Sequence, residues 1–270
     1  MHGRAIRFTG DDAYVCEDAG NYGRTTPFSL SLWVNPHEHQ ERTVVLHRSR
    51  AAEDSAFRGY ALVLDNGKPT FSLIHFWPGN AIRVQAAEVL PLDEWSHLTI
   101  TYDGSSQADG VNLYINGSPI KPEIIRDKLT RDIMHRAEWG DSAVGEDKMQ
   151  LGDRFDDLGL KDGAVDELKL FDRELTAPEV AVLIGEDFQS EFEDGLREYY
   201  LQTHDAEYQA ALAELRKRRE EENAFVSGVR QIMVMEELPE RRPTYVLARG
   251  AYDARREEVS PATPRDIFPF

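Results

Sequence analysis

Up to about residue 175, apolar and polar side chains alternate in short runs: "RAIRF", "FSLSLWV", "TVVLHRS", "YALVL", "TFSLIHFW", "IRVQA", "HLTITYD" and "VNLYING". A period of two sends successive side chains to opposite faces of a sheet, so each run predicts a strand with one face turned inward. Turn-forming stretches separate many of them: "DNGKP" (65–69), "WPGN" (77–80), "DGSSQADG" (103–110) and "INGSP" (115–119). Many short strands punctuated in this way predict an antiparallel two-sheet sandwich or jelly roll, not a parallel sheet with crossover helices. Trp33 and Trp95 stand in or beside alternating runs and are expected in the core. Residues 121 to 148, with the acids of "EWGDSAVGEDK", are expected to be a long loop, the kind that often forms a functional rim.

After Leu175 the period changes. Thr176 with Glu179 three places on forms a capping box, Pro178 fits the first turn, and Val180, Leu183 and Ile184 give a helical stripe. From Phe188 to about Val229 the pattern is helical, with a break expected near "THDAEY", where Thr203 or Asp205 can cap a second helix. The charges of "RKRREEEN" predict a solvated face, since acids follow the bases directly. From residue 237 five prolines and scattered charges predict an extended, irregular arm that buries too little to fold alone. The organisation expected is a jelly roll over 1–186, a helical hairpin or one long helix over 187–230, and a proline-rich arm over 231–270. A chain that opens in a strand and closes at "RDIFPF" reads as a piece of something longer.

Composition narrows the partners. Among 270 residues, Asp plus Glu number 49 against 31 Lys plus Arg, a formal net charge of −18. Phosphate binding needs a basic surface, so nucleic acid is excluded as the main partner, and so is attraction to an anionic membrane. No apolar run reaches the ~18 residues that span a bilayer, so no membrane insertion is expected. Cys16 is the only cysteine and is expected to be a small core residue. It rules out an intrachain disulfide, a zinc cluster and a C-x-x-C-H haem attachment.

"RAIRFTGDDAYV", "FSLSLWVNP", "WSHLTITYDG", "VNLYINGSPI" and "GAVDELKLFDRELTAPEV" resemble the laminin-G-like, concanavalin A-like jelly roll of bacterial multidomain proteins. "VRQIMVMEELPERRPTYVLARGAYDARREEVSPATP" is similar to the opening of an uncharacterised domain near the C-terminus of planctomycete-type cytochrome c proteins. "IIRDKLTRDI", "LGDRFDDLGLKDGAVDE" and "LREYYL" also read like the insert that precedes that domain. The resemblance implies a binding module for carbohydrate or protein, often with a structural calcium, in an extracytoplasmic protein. It implies no catalysis. This stretch carries no haem motif, so no electron-transfer role attaches to it.

Within that resemblance, Asp166 and Glu167 raise a question, because they stand side by side in a strand. One would face water; the other would point inward, where a buried carboxylate needs a partner or a metal. In similar domains the acid at the Asp166 position meets carbonyls of the N-terminal turn at an ion. The resemblance therefore implies a calcium site from Asp166 and Asp12, with Asp11 and the carbonyl of Gly10 beside them. The alternative is that Asp166 caps a turn or pairs with an arginine. Candidates for a ligand face are His47, Arg48, His75, Trp77 and Arg83, with Trp139 from the long loop, since aromatic faces stack on sugars and Arg or His holds hydroxyls and carboxylates. His37 and His39 are expected in a loop rather than at a metal. A jelly-roll glycosidase needs two carboxylates flanking one bond. The chain has no E-x-D-x-x-E strand, no G-x-S-x-G elbow and no H-E-x-x-H helix. Two non-catalytic readings remain: glycan binding on a sheet face, or docking to other domains of the same larger chain through the helices and arm.

Overall fold

The computed structural model of the protein describes residues 4–50, 57–134, 148–154, 157–185, 193–230, 232, 234, 242–250, 253–260 and 262. The strands run in chain order as β1 (Ile6–Thr9), β2 (Tyr14–Cys16), β3 (Phe28–Asn35), β4 (Thr43–Arg50), β5 (Arg58–Asp65), β6 (Lys68–Phe76) and β7 (Asn80–Gln85). They continue as β8 (Ser96–Tyr102), β9 (Val111–Ile115), β10 (Ser118–Ile120), β11 (Glu123–Lys128), β12 (Met149–Leu151) and β13 (Lys161–Phe171). Three helices follow, α1 (Ala177–Leu183), α2 (Glu193–His204) and α3 (Ala206–Ser227), and then β14 (Thr244–Leu247) and β15 (Arg255–Val259).

Two large antiparallel sheets form the sandwich. One has the order β1-β13-β3-β8-β9-β10, the other β11-β7-β6-β5-β4-β12-β2. Their inner faces meet in one core that includes Phe8, Phe28, Leu30, Leu32, Val34, Leu62, Phe71, Leu73, Ile82, Ile100 and Val165. The spacing of two along β3, from Phe28 to Val34, is the alternation seen in the sequence. Two Asn-Gly pairs make the hairpins they predict. Asn66 and Gly67 both have positive φ (50° and 79°), as do Asn116 and Gly117 (49° and 76°), which matches the right-handed twist of the flanking strands.

Four expectations are corrected. The stretch 121–148 is not all loop: β11 pairs with β7 along the edge of the seven-stranded sheet, and Leu129 and Ile133 enter the core. Trp33 lies half-buried on the outer face of the six-stranded sheet, because its neighbours Leu32 and Val34 take the inward positions. Trp95, in the turn before β8, is also only half-buried. The arm is not wholly extended, since β14 and β15 pair as an antiparallel ribbon. Cys16 is half-buried against the core, where burial pushes its thiol pKa up.

The chain divides into two compact units, residues 1–229 and 230–270. Within the first, α1 starts at the predicted capping box: the Thr176 backbone N–H and hydroxyl both donate to Glu179 Oε2 at 2.9 Å. Val180 and Leu175 pack with Tyr114, so α1 covers part of the outer face of the six-stranded sheet. α2 and α3 are two helices broken at Asp205, whose Oδ1 accepts from the Tyr208 N–H at 2.9 Å.

Candidate functional site

The outer face of the seven-stranded sheet gathers arginine and aromatic side chains. Ile82 and Val84 of β7 face the core, so Arg83 between them faces outward. The turn after β6 brings Trp77 under it, with the Arg83 Cζ 3.8 Å from the centre of the indole ring. Arg83 Nε donates to Ser72 Oγ on the neighbouring strand at 2.9 Å. Across β7 and β11, Arg126 pairs directly with Arg83, and directly paired residues share a face.

Further along the same face, Arg154 lies almost wholly buried (2% exposed) with its guanidinium 3.8 Å over the Phe57 ring. Its Nε donates to Asp157 Oδ2 at 3.1 Å, and its Nη2 bonds the same oxygen. Arg42 reaches Asp157 Oδ2 at 2.9 Å and also lies over Phe57. Burial, offset in part by Asp157, lowers the Arg154 pKa to about 10. Burial likewise lowers that of Arg83, with Asp65 and Asp157 opposing the effect and Arg42 adding to it.

The sequence-derived candidates divide accordingly. Trp77 and Arg83 come together on this face. His47 shares it but is spent on the backbone. With the ring neutral, its Nε2–H donates to the Asp153 carbonyl at 3.0 Å and its Nδ1 accepts from the Ser49 N–H at 3.2 Å. Burial, then Arg154, lowers its pKa to about 4. Arg48, one residue on, points the other way: it pairs with Tyr60, whose ring is in the core, and its Nη1 donates to the Ala19 carbonyl at 2.7 Å. His75 is buried, with Nδ1–H donating to the Asp132 carbonyl at 2.6 Å. Both are thus loop anchors. Trp139 lies outside the described residues. His37 contacts Asp93 at 2.7 Å and His39 the Leu90 carbonyl at 2.9 Å, so each is occupied locally.

The two adjacent acids have a different explanation from the one expected. The β13–β3 pairing shifts register between Asp166 and Lys169, and Glu167 takes φ = 48°, a left-handed conformation costly for this residue type. Asp166 pairs with the outward-facing Trp33, so it is not an inward acid. The extra residue of this bulge restores phase, and Val165 and Leu168 on either side both turn to the core. Asp166 Oδ1 accepts from the Glu167 N–H at 2.8 Å, and Glu167 contacts Lys169 at 3.5 Å. Asp12 is a turn residue whose Oδ1 accepts from the N–H and hydroxyl of Thr9 at 2.6 and 3.0 Å, which lowers its pKa. Ile6 pairs with Val165, so Asp166 stands at the start of β1 while Gly10, Asp11 and Asp12 follow its end. The intervening four residues span about 13 Å of strand, so the four do not meet in one sphere. Among the described residues, no group of three or more His, Cys, Asp or Glu side chains could hold a metal ion.

A buried polar junction that the sequence reading missed fixes α3 to the jelly roll. Arg24 Nε donates to Asn223 Oδ1 at 2.7 Å, and Asn223 Nδ2 donates to Asp132 Oδ2 at 3.1 Å. Asp132 Oδ1 accepts from the Arg24 N–H at 3.2 Å, and Arg24 Nη1 donates to Ser106 Oγ at 3.0 Å. The one signal was Asn223 itself, an amide ending the charged run "RKRREEEN". Nearby, a cleft of about 350 Å³ opens between one end of the six-stranded sheet and the two helices, with Asp103, Asp109, Glu174 and Glu198 facing Arg216 and Arg219. Burial, then Asp103 and Glu198, pushes the Glu174 pKa up to about 7.

A two-sheet jelly roll with one polar, aromatic-bearing face defines a lectin-like class. The profile of the concanavalin A-like lectin/glucanases superfamily matches residues 8–181, and the chain belongs to that family. Among solved structures, the carbohydrate-binding module CBM40 of the Ruminococcus gnavus IT-sialidase superposes with a TM-score of 0.51 at 13% identity, covering 68% of this chain and 98% of that one. The same module bound to alpha2,3 sialyllactose gives 0.51 at 13% identity, covering 68% and 97%. The binding domain of Paraclostridial Mosquitocidal Protein 1 gives 0.47 at 16% identity, covering 67% and 42%. At these identities the likeness is one of fold. No curated protein sequence matches the chain. Among the described residues, no helix is long and apolar enough to cross a membrane.

Proposed function

We propose that this chain is a non-catalytic carbohydrate-binding module of a larger extracytoplasmic protein, and that it takes its ligand on the outer face of the seven-stranded sheet. The observation that carries this reading is the Trp77–Arg83 stack, which sets an indole ring and a guanidinium fork side by side on one sheet face. Sugars present apolar ring faces and hydroxyls together, and such a pair meets both demands. A solved relative in fold, the CBM40 module, is a carbohydrate binder, in keeping with this reading. Binding to a glycan array, repeated with Trp77→Ala, tests it. Glycan capture that the variant loses supports the proposal, and the absence of any glycan ligand removes it.

Docking to other domains of the same chain is the second reading. It is favoured by the rigid attachment of α3 through Arg24 and Asn223, which leaves Tyr200, Leu215 and Phe225 exposed. Glycan binding unaffected by changes at those three residues favours the first reading.

A structural calcium is a separate proposal, with Asp166 as the carboxylate that would hold it. A melting temperature that rises with calcium in the metal-stripped protein, and does not in Asp166→Ala, supports it.

A further inference from the structure

Residues directly opposite each other on adjacent strands share a face of the sheet, and two arginines so placed aim their donors at the same space. Here Arg83 and Arg126 are such a pair. Neither has an ion-pair partner within 4 Å among the described residues, and Arg83 Nη1 and Nη2 have no hydrogen-bond partner there. The Nε atoms of Arg126 and of Arg42 are both buried without a hydrogen-bond partner. A charged donor left in that state is held at a cost that a ligand able to accept its hydrogen bond relieves. Arg42 and Arg154 share a single carboxylate, Asp157. Asp65 is the other acid whose field reaches Arg83. Among the described residues the face therefore carries Arg42, Arg83, Arg126 and Arg154 against Asp65 and Asp157, on a chain whose net charge is −18. The positive charge is local and runs against the composition of the whole.

We propose that this face selects a saccharide bearing a carboxylate, which lies between Arg83 and Arg126 while its sugar ring rests against Trp77. This rests on the glycan-binding reading above and names its ligand class. A carboxylate offers two coplanar oxygens that match the guanidinium fork, and its charge meets donors that the described residues leave without a partner. A neutral sugar satisfies hydroxyl contacts but brings no charge to match the arginines.

The test is titration calorimetry with three carboxylated oligosaccharides, built on galacturonate, glucuronate and sialate, each beside its carboxyl-reduced, uncharged form. At least one acid form is expected to bind tenfold or more tightly than its reduced partner, with affinity falling as salt rises. Arg83→Lys keeps the charge but loses the fork, and it should weaken the acid form at least tenfold and the carboxyl-reduced form markedly less. Arg126→Gln should do the same, and a single cooperative thermal transition close to that of the unaltered protein confirms that the variant folds. Equal binding of acid and reduced forms, or unchanged affinity in both variants, overturns the inference. So does binding confined to a sulfated oligosaccharide, or to neutral glycans on the array, although glycan binding itself would then stand. If no glycan binds at all, the glycan-binding reading fails as well.

Discussion

The two outer faces of the sandwich bury their polar strand residues in opposite ways. On the six-stranded sheet, Ser29, Ser31, Thr99 and Thr101 are all but inaccessible, and an apolar contact of α1 with Tyr114 helps to cover that side. Ser29 Oγ is also tied in, donating to the Arg173 carbonyl and accepting from the Leu175 N–H, each at 2.9 Å. On the seven-stranded sheet, Thr70 and Ser72 are equally inaccessible, but the neighbouring groups on that face are arginine side chains, with Trp77 and Phe57 against them. One face is closed by an element of the chain's own core. The other is surfaced with cations whose hydrogen-bonding capacity is only partly used. The glycan-binding proposal rests on that difference.

The largest expected effect comes from breaking the ion pair that organises the arginine face. Asp157 is 8% exposed and Arg154 2%. Asp157→Ala leaves Arg154 buried and uncompensated, and should cost about 3–5 kcal/mol in denaturant unfolding. On the opposite face, Leu175→Ala strips a buried side chain from the α1 contact, with an expected loss of about 2–4 kcal/mol. A loss confined to α1, with the jelly-roll core intact by near-UV circular dichroism, would sharpen the contrast. A loss of the whole fold would show that the helix is part of the sandwich core.

A third prediction uses pH. Glu174 has a folded pKa raised to about 7, so the folded state holds its proton more tightly than the unfolded one. Stability from this group is full below the ordinary carboxylate range and is lost as pH rises towards 7. Glu174→Gln should therefore stabilise the protein at pH 8, by about 1–3 kcal/mol, and have little effect at pH 4. His47 and His97, both lowered to about 4 by burial, act with the opposite sign. Their neutral forms favour folding above about pH 6.5, and that contribution fades as pH falls towards 4. His97→Gln should flatten the acid side of the stability profile measured by thermal unfolding between pH 4 and 7.

Calcium gives the smallest expected effect. A weak site of the extracellular kind, half-filled at millimolar calcium, adds about 0.4 kcal/mol. That is a rise of only a degree or two in melting temperature, and its absence would remove the ion from the proposal.

Much of this molecule follows from local rules. The strand alternation, the two Asn-Gly hairpins, the Thr176–Glu179 capping box and the helix break at Asp205 each depend on residues a few positions apart. Their physics acts before any tertiary contact forms, so one chain read from end to end suffices. The bulge at Glu167 was not legible, because a run of alternating residues does not show where an extra one will be absorbed. That single displacement turned the expected inward Asp166 outward. Arg126 was hidden for a related reason: β11 is an edge strand with little apolar alternation, and only its pairing with β7 sets Arg126 opposite Arg83. Arg48 and His75 looked like ligand-face residues because their types suit that role. What they touch depended on which face each residue took and which loop packed there. The sequence determined the elements, the sandwich class and the presence of Trp77 and Arg83. Tertiary structure decided which arginines meet, because sheet register is a property of two strands and neither one carries it alone.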